Sequence, residues 1–309
     1  MARHGLNLAD LGEDALLRRL LAGSPQGNDL VVPPGDDCAA VETGDRNNLL
    51  LLKTDCIVEG VHYLPETPPP LVGRKALARA ISDIAAMGGS PRHALITILT
   101  PPSSPVSYWE DVYKGISSLA AAHQISLAGG ETSSCPHRAI SVSLTGTVPR
   151  KHLRTRSGGR PGDILLVTGR LGGSLISGRH LRFSPRLAEG RWLASQKGVH
   201  AMMDLSDGLA ADLPRLAAAS GTGWQLEKSS LPRHRGCSHD NALHDGEDYE
   251  LLLAVSPSSL SRLLKDWRGV FPNTPLTPVG SLTPPSSDQL SGRNGGFDHF
   301  RIASPRSAC

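Results

Sequence analysis

Acidic residues recur along the chain beside small ones. Asp36 and Asp37 follow Gly35, Asp55 follows Thr54, Asp83 follows Ser82, and Glu131 follows Gly130. Asp204 and Asp207 flank Leu205-Ser206, and Glu247-Asp248 follow Gly246. Small neighbours let a ligand come close to the backbone. Carboxylates that converge repel one another unless cations lie between them. Their hard oxygens select Mg²⁺ or Ca²⁺, and magnesium held by a few carboxylates, waters and a phosphate chain is the usual ATP-site arrangement. Singly, these residues have plainer readings: an Asp beside Gly is a common turn residue, and Asp207 suits the first turn of a helix. His62 alone reads as a surface or internally satisfied histidine. Asp83 is different, because it sits between Ile81 and Ile84 at the edge of an apolar stripe, where a charge needs a partner.

The familiar nucleotide and hydrolase signatures are missing. The chain has no GxxxxGK[ST], no complete GxGxxG, and no HExxH, GxSxG or HRD. This excludes P-loop ATPases, Rossmann dehydrogenases, zincins, α/β-hydrolases and protein kinases as readings.

The elements that must position the acids follow from periodicity. Leu11–Leu21 reads as an amphipathic helix ending near Gly23, and Leu49–Leu52 as a buried strand ending at Lys53-Thr54-Asp55. Gly73–Met87 gives the strongest helix pattern, stopped by Gly88-Gly89, and Val106–Ala122 gives a second long helix. Ala94–Leu99, Ile125–Ala128 and Ile140–Val148 read as strands, the second running into Gly129-Gly130-Glu131-Thr132. Beyond an Arg-, Gly- and Ser-rich linker at Pro149–Gly162, strands are predicted at Ile164–Thr168, Tyr249–Val255 and Thr277–Gly280. Helices are predicted at Pro185–Gln196 and Ser258–Trp267, with another running to Ala219 behind an Ser206 N-cap. The pattern predicts an α/β (α+β) protein of two domains, residues 1–149 and 150–309.

Composition agrees. The 309 residues carry 32 basic and 29 acidic side chains, a net charge of +3 that argues against a dedicated nucleic-acid binder. Five cysteines without a CxxC pair fit neither a disulfide framework nor a zinc site. With no signal-peptide pattern and no stretch of roughly 18 apolar residues, a soluble cytoplasmic protein is expected.

Taken in order, these segments resemble the thiamine-monophosphate kinase family. The resemblance is carried by Gly35-Asp36-Asp37-Cys38-Ala39-Ala40-Val41, Thr54-Asp55 through Gly60-Val61-His62-Tyr63, and Lys75-Ala76-Leu77 through Ser82-Asp83-Ile84-Ala85-Ala86-Met87-Gly88. It continues through Gly129-Gly130-Glu131-Thr132, Arg156-Ser157-Gly158, Asp204-Leu205-Ser206-Asp207-Gly208, Gly246-Glu247-Asp248-Tyr249-Glu250 and Gly296-Phe297-Asp298-His299-Phe300. The resemblance implies a fold like that of aminoimidazole ribonucleotide synthetase, with dimerisation through the N-terminal domain. ATP as co-substrate and several Mg²⁺ ions would lie between the domains. By motif, Asp37, Thr54, Asp55, Asp83, Asp204 and Asp207 match metal-binding positions, and Glu131 stands where the family has a metal-binding Asp. Tyr113, Gly130, Arg156 and Ser206 match nucleotide contacts, and His62, Glu247 and Phe297 match the thiamine phosphate pocket.

The implied reaction needs no general base, since the acceptor phosphate, with a second pKa of about 6, is largely ionised at neutral pH. Some positions depart from the family pattern. Glu131 lengthens the arm by a methylene, and Lys53 stands where Ser or Thr is usual, so its ammonium is expected to supply part of a magnesium's charge. His244-Asp245 replaces a small pair, and the segment between Gly172 and Arg186 is short. Two rivals share the pattern: a sister ATP-dependent synthetase, and a non-catalytic nucleotide- or thiamine-phosphate-binding protein.

Overall fold

The computed structural model describes residues 7–285. Helices α1 (Leu8–Leu11) and α2 (Glu13–Leu21) open the described chain, and neither buries a residue. The leucine stripe of α2 therefore faces outward, with Leu20 65% exposed.

A six-stranded sheet follows. It is built from β1 (Leu30–Val32), β2 (Ala39–Val41), β3 (Asn48–Val58), β4 (Ser90–Thr100), β5 (Ser126–Ser134) and β6 (Ala139–Pro149), in spatial order β1-β2-β3-β6-β4-β5. Strands β4 and β5 run parallel, and the other neighbours are antiparallel. Parallel neighbours need a crossover, supplied by α4 (Val106–Ala122). Helix α3 (Pro69–Ala86) begins with proline in its first turn, where a missing N–H costs nothing, and Gly88 turns the chain away at φ 73°. Leu77, Ile81 and Ile84 of α3 pack with Leu51, Ile96 and Ile140 of the sheet to form the first core.

The second sheet is antiparallel, in order β8-β10-β7-β11-β9. Its chain order is β7 (Ile164–Thr168), α5 (Leu187–Ser195), β8 (Val199–Asp204), α6 (Leu209–Ala219), β9 (Gly223–Leu226), α7 (His239–His244), β10 (Leu251–Val255), α8 (Pro257–Val270) and β11 (Leu276–Thr283). Leu165, Val167 and Leu252 face the core under α6, whereas Leu166, Leu251 and Leu253 face Trp267 of α8. Cover on both faces explains why residues 164–167 of β7 and all of β10 are unbroken apolar runs.

Helix α3 joins the halves by packing on α5 and β8 as well as on α4. At Gly190 of α5, an added Cβ would come within 2.2 Å of the Ala85 carbonyl oxygen, so the absent side chain lets the two helices touch. This contact sets Ser82 and Asp83 beside the end of β8.

The α/β (α+β) expectation holds, with local differences. Strand β3 continues through Lys53-Thr54-Asp55 to Val58, and Gly129-Gly130-Glu131-Thr132 lies within β5. Helix α6 begins at Leu209 behind Gly208 (φ 102°), not behind an Ser206 cap. The Asp212 carboxylate accepts the Ser206 and Asp207 amides instead, at 3.1 and 3.0 Å. Cys38, Cys56, Cys135 and Cys237 are free thiols. Phe297 and its flanking motif lie outside the described residues.

Candidate active site

Three carboxylates from distant parts of the chain meet where the two sheets adjoin. Asp37 comes from the turn before β2, Asp83 from the last turn of α3, and Asp204 from the end of β8. One oxygen of each lies within 4.8 Å of the others. All three are buried. Asp37 Oδ1 accepts Arg156 Nε at 3.0 Å, while its Oδ2 is buried with no hydrogen-bond partner. Asp83 Oδ1 is 2.8 Å from Lys53 Nζ, and Asp204 Oδ2 accepts the Ser82 hydroxyl at 2.6 Å. Asp36 supports the turn by accepting the Asp37 and Arg156 amides at 2.9 and 3.0 Å.

Burial, then the neighbouring Asp37 charge, pushes the Asp204 carboxyl up to about 7. Burial likewise raises Asp83 well above the usual carboxylate range, against the pull of Lys53. For Lys53, burial favours the neutral amine, but Asp83 and Asp55 outweigh it and raise the pKa. Like charges so placed, one with an unsatisfied oxygen, fit a hard divalent cation: the donors are all oxygens, and a cation would relieve the repulsion.

A second network adjoins the first. Lys75 of α3 is fully buried, and its Nζ donates to Glu247 Oε2 and the His62 carbonyl, both at 2.6 Å. It also lies 2.8 Å from His180 Nδ1. Arg79, one turn on, pairs with Asp55 at 3.1 Å and approaches Glu247 at 3.9 Å. Glu247 and Tyr249 hold left-handed φ values of 53° and 52°. Such backbone is strained for side-chain-bearing residues. It is held by hydrogen bonds from their amides to the Ser206 and Leu205 carbonyls, at 2.7 and 2.9 Å. Tyr249 stacks on Phe183 with ring centroids 4.0 Å apart.

The remaining predicted site residues are more dispersed. Asp55 shares its face of β3 with Lys53 but is held by Arg79, while Thr54, on the opposite face, has its hydroxyl 3.5 Å from Ser141 Oγ. Glu131 is exposed on edge strand β5 and accepts the Thr132 amide at 2.8 Å. Asp207 pairs with Arg215, which also holds Asp212 at 2.9 Å. Tyr113 packs at the rim of the first core. Gly130 lies against β4, where an added Cβ would meet the Ile96 carbonyl oxygen at 1.8 Å. His62 is buried and its Nδ1 accepts the Val58 amide at 3.0 Å.

Sequence reasoning missed roles for Lys75, Arg79, His180, Asp212 and Arg215. A signal for the first two existed: Lys75, Arg79 and Asp83 recur every four residues, a charged stripe along an apolar helix. Asp212 and Arg215 stand three apart on α6, an ion-pair spacing that was also readable, whereas His180 carries no local mark because Lys75 and Glu247 reach it by tertiary contact.

Two family models match the chain: the N-terminal domain of AIR synthase related protein over residues 35–148, and its C-terminal domain over 160–270. The fold is thus that of the AIR synthase related class. Within that class, the thiamine-monophosphate kinase of Rhodopirellula baltica is 35% identical over 87% of this chain and 89% of its own. That of Escherichia coli K12 is 32% identical over 86% and 91%. The chain belongs to the thiamine-monophosphate kinase family. A solved structure, AaThiL complexed with AMPPCP and TMP, is 31% identical, with a TM-score of 0.80 covering 96% of this chain and 100% of that one. The E. coli hydrogenase maturation protein HypE, at 20% identity and a TM-score of 0.66, shares the fold.

Proposed function

We propose that this chain transfers the γ-phosphoryl group of ATP to thiamine monophosphate, giving thiamine diphosphate and ADP. The observation that carries the reading is the convergence of Asp37, Asp83 and Asp204, in a chain whose relatives are thiamine-monophosphate kinases. A phosphate oxygen of the acceptor attacks the γ-phosphorus as the bond to the β–γ bridging oxygen of ATP breaks, leaving ADP. The nucleophile is already an anion, so no side chain has to remove a proton, and the site's task is to hold two polyanions together.

Asp37, Asp83 and Asp204 would hold Mg²⁺, with Asp55, Glu131 and Asp207 as further ligands; Thr54, its hydroxyl turned to the opposite face of β3, would contribute only main-chain oxygen. Bound Mg²⁺ supplies charge neutralisation for the approaching phosphates and the transferring group. Arg156 orients Asp37 and adds a fixed positive charge toward the nucleotide. Tyr113, Gly130 and Ser206 complete the nucleotide contacts, and His62, Glu247 and Phe297 those of the thiamine pocket. Lys75 and Arg79 lock the Glu247 carboxylate in one position.

The enzyme acts as a cytoplasmic homodimer in this reading. Leu52 and Leu95, 41% and 47% exposed on the outer face of the first sheet, line an open concavity of about 440 Å³ with His93, Ser143 and Thr145. A second copy of that face would cover them. Leu95→Glu should yield monomers in sedimentation, and an unchanged dimer would reject this face.

Purified protein with ATP, Mg²⁺ and thiamine monophosphate should give equal amounts of ADP and thiamine diphosphate. Asp55→Asn and Asp83→Asn should each lower turnover by roughly 10²-fold or more, the scale of losing one electrostatic contact to a transition state. Turnover with a different acceptor would point to the sister synthetase, and binding without turnover to a non-catalytic module.

A further inference from the structure

The carboxylate cluster already contains a cation. Lys53 projects from β3 on the same face as Asp55, and its Nζ lies 2.8 Å from Asp83 Oδ1. Asp83 is one of the three acids whose oxygens gather within 4.8 Å. The other counter-charge, Arg156, approaches from the opposite partner, Asp37, and leaves Asp37 Oδ2 unengaged. The cations are thus placed unequally: one end of the cluster keeps an open oxygen, and the other is closed by an ammonium. Lysine is a compact point charge, unlike the forked guanidinium. Such an ammonium and a divalent ion on the same carboxylate oxygen repel strongly at close range.

We propose that Lys53 is a resident cation of this cluster, its ammonium standing in for one divalent ion. The protein then binds one divalent ion fewer than the same carboxylates would accept without it. The inference rests on the phosphotransferase reading for the nucleotide used to fill the site, and on nothing else in that reading. It also separates this lysine from a merely structural one, because a bound divalent ion should be able to replace its charge.

The test counts metal rather than turnover. Mn²⁺ is titrated into the full chain with saturating non-hydrolysable ATP analogue, and bound ion is read by electron paramagnetic resonance. Lys53→Thr and the length-matched Lys53→Met should each bind one more Mn²⁺ per chain than the wild type. Equal counts would overturn the proposal. Thermal melts supply a second readout: without divalent ions both variants should melt below the wild type, and Mg²⁺ should close the gap. A gap that Mg²⁺ leaves unchanged would mark Lys53 as a packing residue and overturn the proposal too. Neither arm measures phosphoryl transfer, so failure to phosphorylate thiamine monophosphate would count against the assigned reaction and leave the ion count standing.

Discussion

Removing Lys75 and removing Glu247 should have unequal consequences. Lys75 has no exposed surface, whereas the Glu247 side chain keeps 16%. Burial pulls the Lys75 ammonium down to about 8, against the opposing charge of Glu247. Glu247, despite its own burial, is held at about 2 by His180, Lys75 and Arg79. A simple ion pair lowers the acid and raises the base. Here both fall, because Lys75 is the more deeply buried and has one carboxylate, while Glu247 has hydrogen bonds from Lys75 and His180 and the nearby charge of Arg79. Each displacement is worth about 3 kcal/mol, with opposite sign for the charged form. Lys75→Met therefore removes a costly buried ammonium and leaves Glu247 with Arg79 and His180, for a net loss of about 0–2 kcal/mol. Glu247→Gln strands the ammonium in a dry site and should cost about 3–5 kcal/mol. The double variant should be more stable than Glu247→Gln alone, with a coupling of about 2 kcal/mol or more. Urea unfolding at pH 7, followed by circular dichroism and tryptophan fluorescence, measures all four corners of the cycle. Additive effects, or a Lys75→Met loss equal to that of Glu247→Gln, would show that the buried ammonium is not the costly partner.

Two further outcomes follow from named contacts. Burial, partly offset by the Gly172 amide, raises the Asp248 carboxyl to about 7. The folded state then binds more protons than the unfolded one between about pH 4 and 7, so stability relative to Asp248→Asn should fall as pH rises through that window, by up to about 4 kcal/mol; a pH-independent difference would exclude it. Gly190→Ala should lower stability by about 1–3 kcal/mol, because its new Cβ would sit 2.2 Å from the Ala85 carbonyl oxygen, and calorimetric melts check this.

What could be read from the sequence was what local physics decides. Helix α4 and strand β7 have the bounds their periodicity predicts, because their apolar spacing alone selects the buried face. Asp83 was legible as a charge in need of a partner, but the partner was not: Lys53 reaches it only after β3 is laid beside α3. Strand β3 ran longer than expected because its apolar run gives way to Lys53-Thr54-Asp55 while full pairing with β6 continues to Val58. Ser206 was misread as a cap because the true N-terminal partner, Asp212, lies inside the helix and reaches back to the free amides. The strand expected at Ile125–Ala128 stops short of Gly129-Gly130-Glu131, yet close approach to Ile96 gives glycine a place within the strand.

Asp37, Asp83 and Asp204 are proposed to hold jointly the divalent ions that join two phosphate compounds. Crystals of the full chain grown with Mn²⁺, a non-hydrolysable ATP analogue and thiamine monophosphate would test it through anomalous scattering. The prediction is manganese bound at about 2.1 Å to oxygens of these three residues, bridging to the nucleotide phosphates. Ions held elsewhere, with the three carboxylates paired only to protein groups, would contradict it.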